Sequence, residues 1–254
     1  MHLKAILFDV DGTLSDTEDA HRVAFNETFQ AEGLDWRWNR DLYKRLLTVN
    51  GGVNRIRYFV DTENLDTGFD GSERDDFISR LHAKKTHRFA GFIEDGRVRL
   101  RSGVARLIRD AQGNGLRLAI ATATSLSNVE KLLSSCLPSQ DADAFEVFGT
   151  GERAVRKKPD PEIYLWVLEQ LALPPRACIA IEDSTNGLNA ARSAGIATVI
   201  TTSPYTLDED FTGAVAVVDR LGEPDKPSRF LQGDGLNKTC VDVELLRHWH
   251  SQTG

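Results

Sequence analysis

Apolar residues occur along this chain in short unbroken runs separated by longer amphipathic stretches. The runs are residues 3–8 (LKAILF), 116–121 (LRLAIA), 145–148 (FEVF), 178–181 (CIAI), 196–200 (IATVI) and 214–218 (AVAVV). Runs without polar alternation suit strands covered on both faces, as in a parallel sheet. Helical patterns lie between most of them. SGVARLIRDAQGNG puts Val104, Leu107 and Ile108 on one face and stops at Gly113 and Gly115. DPEIYLWVLEQLAL opens with Asp160 as N-cap and Pro161 at the first helical position. STNGLNAARSAG ends on Gly195, a residue suited to the left-handed position after a helix. Strand and helix alternate, which predicts an α/β fold with a doubly wound, Rossmann-like parallel sheet.

One stretch breaks the rhythm. From Thr17 to about Phe92 no buried strand is apparent, whereas TEDAHRVAFNETFQAEG and ERDDFISRLHAKKTHRF both carry helical periodicity around the glycine loop TVNGGVNR. The expected organisation is an α/β core domain of residues 1–16 and 93–254, with an inserted α-helical domain of residues 17–92. The tail after Pro204 reads as turns with a short helix near Val243 to Trp249. Its HWH triplet looks like a metal pair but is expected on an exposed tail. Arg97, Arg99 and Arg101 alternate as a solvated strand or hinge face would.

Composition narrows the function. With 254 residues, 41% of them hydrophobic, the chain can bury one large core plus a small accessory unit. No run of about 18 apolar residues suggests a membrane span, and MHLKAILFDV turns acidic too soon for a secretory signal. Cys136, Cys178 and Cys240 are scattered and form no C-x-x-C, which predicts neither a disulfide frame nor a zinc site and fits a reducing cytoplasm. A formal charge of −7 argues against general nucleic-acid binding, but not against a small phosphorylated ligand.

In an open α/β sheet, ligands bind beyond the carboxyl ends of the strands. Asp9 and Asp11 follow the first run, Thr122 and Thr124 the second, and Glu182 and Asp183 the fourth; Lys157 and Lys158 lie beyond the third. Two carboxylates one residue apart repel and lose hydration when buried, so a metal cation or a shared proton must compensate them. Four polar clusters in one topological position point to a single site.

In order and spacing, DVDGT, the ATAT threonine, KKPDPEIY and IEDSTNGLNAA resemble the four motifs of the haloacid dehalogenase superfamily. Within it the chain is most similar to the β-phosphoglucomutase-like branch and its CbbY-type sugar bisphosphatases. The resemblance implies phosphoryl transfer with Asp9 as nucleophile, Asp11 as general acid and base, Thr122 as a donor to the phosphoryl oxygens and Lys158 as the positive charge. It also implies Mg²⁺ as cofactor, held by Asp9, the Asp11 carbonyl and Asp183, with Glu182 assisting. The substrate implied is xylulose-1,5-bisphosphate, an inhibitor of the carbon-fixing carboxylase, converted to xylulose 5-phosphate by a cytoplasmic monomer without nucleic-acid or membrane partners. Dehalogenases of the superfamily lack an acid at the position of Asp11, and a phosphonatase needs a cap lysine that TVNGGVNR does not offer. A sugar phosphomutase shares all these residues and stays open as an alternative, as does a non-catalytic sugar-phosphate-binding regulator.

The resemblance makes the helical insertion a cap and implies substrate contacts there from Glu18, His21, Tyr43, Arg55 and Lys85. Four of them have a plainer reading: a satisfied helix histidine for His21, a packing ring for Tyr43, a solvated side chain for Arg55 and Lys85. Arg55 is the residue expected to grip a second phosphate, because a guanidinium binds oxyanions bidentately.

Overall fold

The computed structural model describes residues 2–49 and 51–253. Met1 and Gly254, at the ends of the expected core, and Asn50, in the expected cap loop, lie outside them. In chain order the elements begin with β1 (Ala5–Phe8), α1 (Thr17–Ala31), α2 (Arg40–Leu46), α3 (Gly52–Thr62) and α4 (Gly71–Glu94). There follow α5 (Val104–Gly113), β2 (Arg117–Ala121), α6 (Leu126–Cys136), α7 (Ser139–Ala142), β3 (Phe145–Gly149) and α8 (Glu162–Leu171). The chain continues with β4 (Cys178–Glu182), α9 (Thr185–Ser193), β5 (Ala197–Thr201), β6 (Ala216–Val218), β7 (Phe230–Gln232) and α10 (Val243–Ser251). These elements divide into two compact units, Met1–Asp16 with Val98–Gly254, and Thr17–Arg97.

The first unit holds a sheet of order β3-β2-β1-β4-β5-β6-β7, parallel throughout except for β7. Its central strands are buried along their whole length, which is why their sequences read as unbroken apolar runs. Helix α5 buries Val104, Leu107, Ile108 and Ala111, and α8 buries Ile163, Tyr164, Val167, Leu168 and Leu171. Fully burying one such aliphatic side chain stabilises by about 1.5–3 kcal/mol. Helix α8 starts one residue later than its sequence suggests: Pro161 occupies the cap position, and the Asp160 carboxylate accepts from the Glu162 N–H at 3.0 Å. The strand order reverses at β1 and β4, and the register pairs Phe8 with Ile181, so Asp9 and Glu182 leave the sheet side by side. That is the switch point where such sheets bind ligands.

The tail differs from its sequence reading. Phe230 to Gln232 add a short antiparallel edge strand, too brief at three residues to show as an apolar run. Trp249 is fully buried, and buried His250 faces the Arg176 carbonyl through Nε2 at 3.0 Å. The HWH triplet therefore anchors α10 rather than lying on an exposed tail.

The second unit is helical, built on an aromatic core. Trp38 stacks on Tyr43 with ring centroids 5.7 Å apart and meets Phe25 at 4.5 Å. The Trp38 backbone has no helical partner, so Asn26 supplies one: its Oδ1 accepts the Trp38 N–H at 2.7 Å and its Nδ2 donates to the Trp38 carbonyl at 2.9 Å. Asn39 then caps α2 by accepting from the Leu42 N–H at 2.8 Å. Among the described residues, no helix is long and apolar enough to cross a membrane.

Candidate active site

At the carboxyl end of β1, the Asp9 N–H donates to the Ile181 carbonyl at 3.0 Å, which turns the buried carboxylate toward the end of β4. Lys158 reaches the same place from the loop after β3. Its ammonium donates to Asp9 Oδ1 at 2.7 Å, the Ala121 carbonyl at 2.8 Å and Glu182 Oε1 at 2.5 Å. All three ammonium hydrogens are thus used, and the lysine is fixed by strands β1, β2 and β4 together. Lys157 turns elsewhere and donates to the Gly151 carbonyl at 2.6 Å. Burial lowers the pKa of Lys158, but the Asp9 and Glu182 carboxylates outweigh it and the net shift is upward. Removing this ammonium would cost on the order of 3–5 kcal/mol, because it would strand buried carboxylates.

Oxygens of Asp9, Glu182 and Asp183 lie within 4.8 Å of one another. Burial, followed by mutual repulsion with Asp9 and Glu182, holds Asp183 well above the usual carboxylate range, against a hydrogen bond from Ser203. Burial also pushes Glu182 up to about 7, although Lys158 and the Tyr164 hydroxyl both act to lower it. With three carboxyl groups facing one ammonium, ionising all of them would leave two negative charges uncompensated in a buried place, which is why two of them resist losing their protons. An all-oxygen donor set with that excess fits a hard divalent cation. Two glycines make the room. A Cβ on Gly12, whose φ is +83°, would lie 2.0 Å from Asp183 Oδ2, and one on Gly187 would lie 1.8 Å from Glu182 Oε2.

Asp11 lies outside that side-chain cluster among the described residues; its Oδ2 accepts a hydrogen bond from the Thr124 hydroxyl. Thr122 is buried, with its N–H on the Gly149 carbonyl at 2.8 Å. Its hydroxyl oxygen accepts from the Thr124 N–H at 3.2 Å, which leaves its own hydrogen to be donated. The core thus presents a carboxylate, an ammonium, a hydroxyl donor, an acidic cation seat and a second carboxylate held separately.

In the helical unit, the five sequence candidates form two linked groups. Tyr43 is fully buried, and its hydroxyl donates to Glu18 Oε2 at 3.0 Å and accepts from Arg55 Nη1 at 3.1 Å. The remaining nitrogens of Arg55 hold the carbonyls of Leu46 at 3.1 Å and Val49 at 3.4 Å. Arg55 is therefore a braced side chain, not a solvated one. Lys85 is buried, 2.8 Å from His21 Nδ1 and 4.6 Å from the centre of the Phe25 ring. The solvated reading of Lys85 fails as well. His21 stacks on Phe89 at 3.7 Å. Burial, then the charges of Lys85 and Arg55, hold its pKa well below 6.5. The imidazole is neutral and accepts the ammonium hydrogen at Nδ1, with its own proton on Nε2.

A model of haloacid dehalogenase-like hydrolases matches residues 3–195. The chain belongs to that family. The Protein CbbY of Rhodobacter capsulatus is 48% identical over 214 residues, which cover 84% of this chain and 92% of the relative. Among solved structures, an aspartate-to-asparagine variant of CbbY from Rhodobacter sphaeroides in complex with xylulose-(1,5)bisphosphate is 43% identical. It has a TM-score of 0.72, with 86% of this chain and 94% of that one covered. A putative beta-phosphoglucomutase from Thermotoga maritima follows at 28% identity and a TM-score of 0.66, covering 85% of this chain and 94% of that one. This haloacid dehalogenase-like enzyme is a hydrolase of the phosphatase type.

Three contributors to its site carry no sequence signal of that role. Tyr164 is one more residue of the helical run DPEIYLWVLEQLAL, and Ser203 stands just past an apolar run with no motif around it. Arg101 belongs to an alternation that predicts a solvated face, yet its side chain is only 8% exposed. Arg97 and Arg99 are exposed as expected. Arg101 differs because backbone carbonyls take up its guanidinium.

Proposed function

We propose that this enzyme is a Mg²⁺-dependent sugar-bisphosphate phosphatase working through an aspartyl phosphate, and that it converts xylulose-1,5-bisphosphate to xylulose 5-phosphate. The supporting observation for the substrate is the related structure with that ligand, at 43% identity over 86% of this chain. In this reading the first unit is the catalytic core domain and the helical unit its cap domain. Asp9 attacks phosphorus, its bond to the sugar oxygen breaks, and Asp11 protonates the departing oxygen. Asp11 then takes a proton from water as that water attacks the aspartyl phosphate, which releases phosphate and restores Asp9. Lys158 and the Thr122 hydroxyl stabilise charge on the phosphoryl oxygens. Mg²⁺, held by Asp9, Asp183 and the Asp11 carbonyl, would supply further neutralisation of that charge. Glu182 Oε1 is engaged by Lys158 and Tyr164, so its part is to seat the lysine and add negative charge to the cation seat.

The helical unit carries the substrate preference. Arg55 and Lys85 bring two positive charges, against the single carboxylate of Glu18, and both are braced in place. Such a cluster suits a second phosphate. Unpaired cysteines agree with action in the cytoplasm; that the enzyme acts there as a monomer is part of the same proposal. A mutase reading draws on the Thermotoga maritima relative, but at 28% identity against 43–48% for the CbbY proteins it ranks second. The intact Asp9, Asp11, Lys158 and Asp183 speak against a non-catalytic regulator. The test is a time course with xylulose-1,5-bisphosphate and Mg²⁺, following free phosphate and the sugar product, with EDTA as control. One phosphate per sugar, abolished by EDTA and restored by Mg²⁺, is expected. An isomeric sugar bisphosphate without free phosphate would make the enzyme a mutase.

A further inference from the structure

Arg101 is the most heavily engaged cation of the core unit that the chemistry above leaves unused. Its Nη1 donates to the Gly12 carbonyl and is shared with Thr201, whose carbonyl lies at 3.0 Å and whose Oγ1 lies at 2.8 Å. Its Nη2 donates to the Thr202 carbonyl at 2.5 Å and the Asp219 carbonyl at 3.0 Å. Nε faces Asp16 Oδ1 at 3.1 Å. One buried guanidinium therefore joins the loop after β1 to the ends of β5 and β6. Two further bonds tie the segment carrying Arg101 to the loop after β1, the Arg101 N–H on the Leu14 carbonyl at 2.8 Å and Ser15 Oγ on the Arg99 carbonyl at 2.7 Å.

The residue that this clamp holds is Gly12, which lies against the Asp183 carboxylate with no room for a Cβ. Gly12 is fixed at both ends, its carbonyl by Arg101 and its N–H by the Ser15 carbonyl at 2.8 Å. In a trans peptide the preceding carbonyl, that of Asp11, points opposite to this N–H. The Ser15 carbonyl thus fixes the Asp11–Gly12 peptide plane, while Arg101 fixes the next one, Gly12–Thr13, and so acts on the Asp11 carbonyl through the Gly12 Cα and on the wall against which Asp183 rests.

We propose that Arg101 is a positioning residue for the divalent-cation seat. By clamping Gly12 to the ends of β5 and β6, it sets the Asp11 carbonyl and the Asp183 carboxylate relative to Asp9. This rests on the proposed Mg²⁺ seat. The planar fork matters as much as the charge. Lysine carries its hydrogens on one nitrogen and cannot reproduce a fork in which Nη1 takes Gly12 while Nη2 takes Thr202 and Asp219. Arg106 is the natural control. It too forks onto core carbonyls, those of Leu221 at 3.0 Å, Gly222 at 2.9 Å and Val241 at 2.9 Å, but none of them belongs to the loop after β1 or touches the acidic cluster.

The experiment is calorimetric titration of Mg²⁺ into the full chain without substrate, beside thermal unfolding, for the wild type, Arg101→Lys, Arg101→Met and Arg106→Met. Both Arg101 variants are expected to bind Mg²⁺ at least about tenfold more weakly, the range for residues that orient metal ligands. Arg106→Met should lose thermal stability and keep its Mg²⁺ affinity. If Arg101→Met does not fold, Arg101→Lys decides. Wild-type affinity in Arg101→Lys would overturn the inference, and so would an equal weakening in Arg106→Met, which would mark a general effect of stability. A wild type that binds no Mg²⁺ would remove the cation seat and the inference with it. Tight binding by the wild type and Arg101→Lys alike would overturn the inference and leave the seat standing.

Discussion

Each unit buries a lysine at the centre of its candidate residues, and the two are compensated in opposite ways. Lys158 faces carboxylates: Asp9 and Glu182 take its hydrogens, and Asp183 adds a third acid beside them. Lys85 faces a neutral imidazole at 2.8 Å and the faces of Phe25 and Phe89. The first cluster keeps negative charge in excess and so suits a cation. The second lies in a unit where Arg55 is joined to the single carboxylate of Glu18 through Tyr43, keeps positive charge in excess and so suits an anion. In the function proposed above, chemistry and choice of substrate fall to different units, and substitutions should separate them.

The largest effect belongs to the core. Asp9→Asn leaves a neutral amide that is a poor nucleophile, and turnover should fall by on the order of 10⁴-fold or more on every phosphate ester, large or small. Steady-state phosphate release checks this, and residual activity within tenfold of wild type would remove Asp9 from its role. Asp11→Asn should cost about 10²–10⁴-fold, the range for losing a general acid and base, while substrate still binds. Phosphate-release kinetics alongside a binding titration separate the two effects; normal turnover would refute the acid-base assignment.

The smallest effect is a pH dependence of the helical unit. His21 is held neutral, its folded pKa lying well below the unfolded 6.5. Its contribution to stability is therefore complete above that value and is lost as pH falls below it, because the unfolded chain binds the extra proton. His82, lowered by burial and then by Lys85 and Arg55, acts in the same direction. Denaturant unfolding from pH 7 to pH 5 should show falling stability, with a shallower slope in His21→Gln. An unchanged slope would mean that His21 is not held neutral.

The core site was largely legible in sequence because parallel strands are apolar throughout. Each polar residue that ends a run, such as Asp9 or Glu182, then marks a strand's carboxyl end, and the site follows from topology. What escaped was whatever acts through the backbone or from the interior of a helix. Arg101 binds carbonyls, which every residue carries, so no partner identity betrays it. Tyr164 looks like any core ring until its hydroxyl meets Glu182. In the helical unit, Lys85 and Arg55 read equally well as solvated cations, since only packing shows that one is buried and the other braced. Helices α2 and α3 are short, and the aromatic core that holds them is assembled from residues far apart in sequence.

The division of labour between the two units is tested most directly by one ratio. It is kcat/KM for xylulose-1,5-bisphosphate over kcat/KM for a small generic phosphate ester, measured in wild type and in Arg55→Ala. Loss of a charged hydrogen bond of about 1.5–3 kcal/mol should lower the bisphosphate value by roughly one to two orders of magnitude and leave the generic ester nearly unchanged, so the ratio falls. Equal losses on both substrates would contradict the account, for they would make Arg55 a support of the fold and not the reader of a second phosphate.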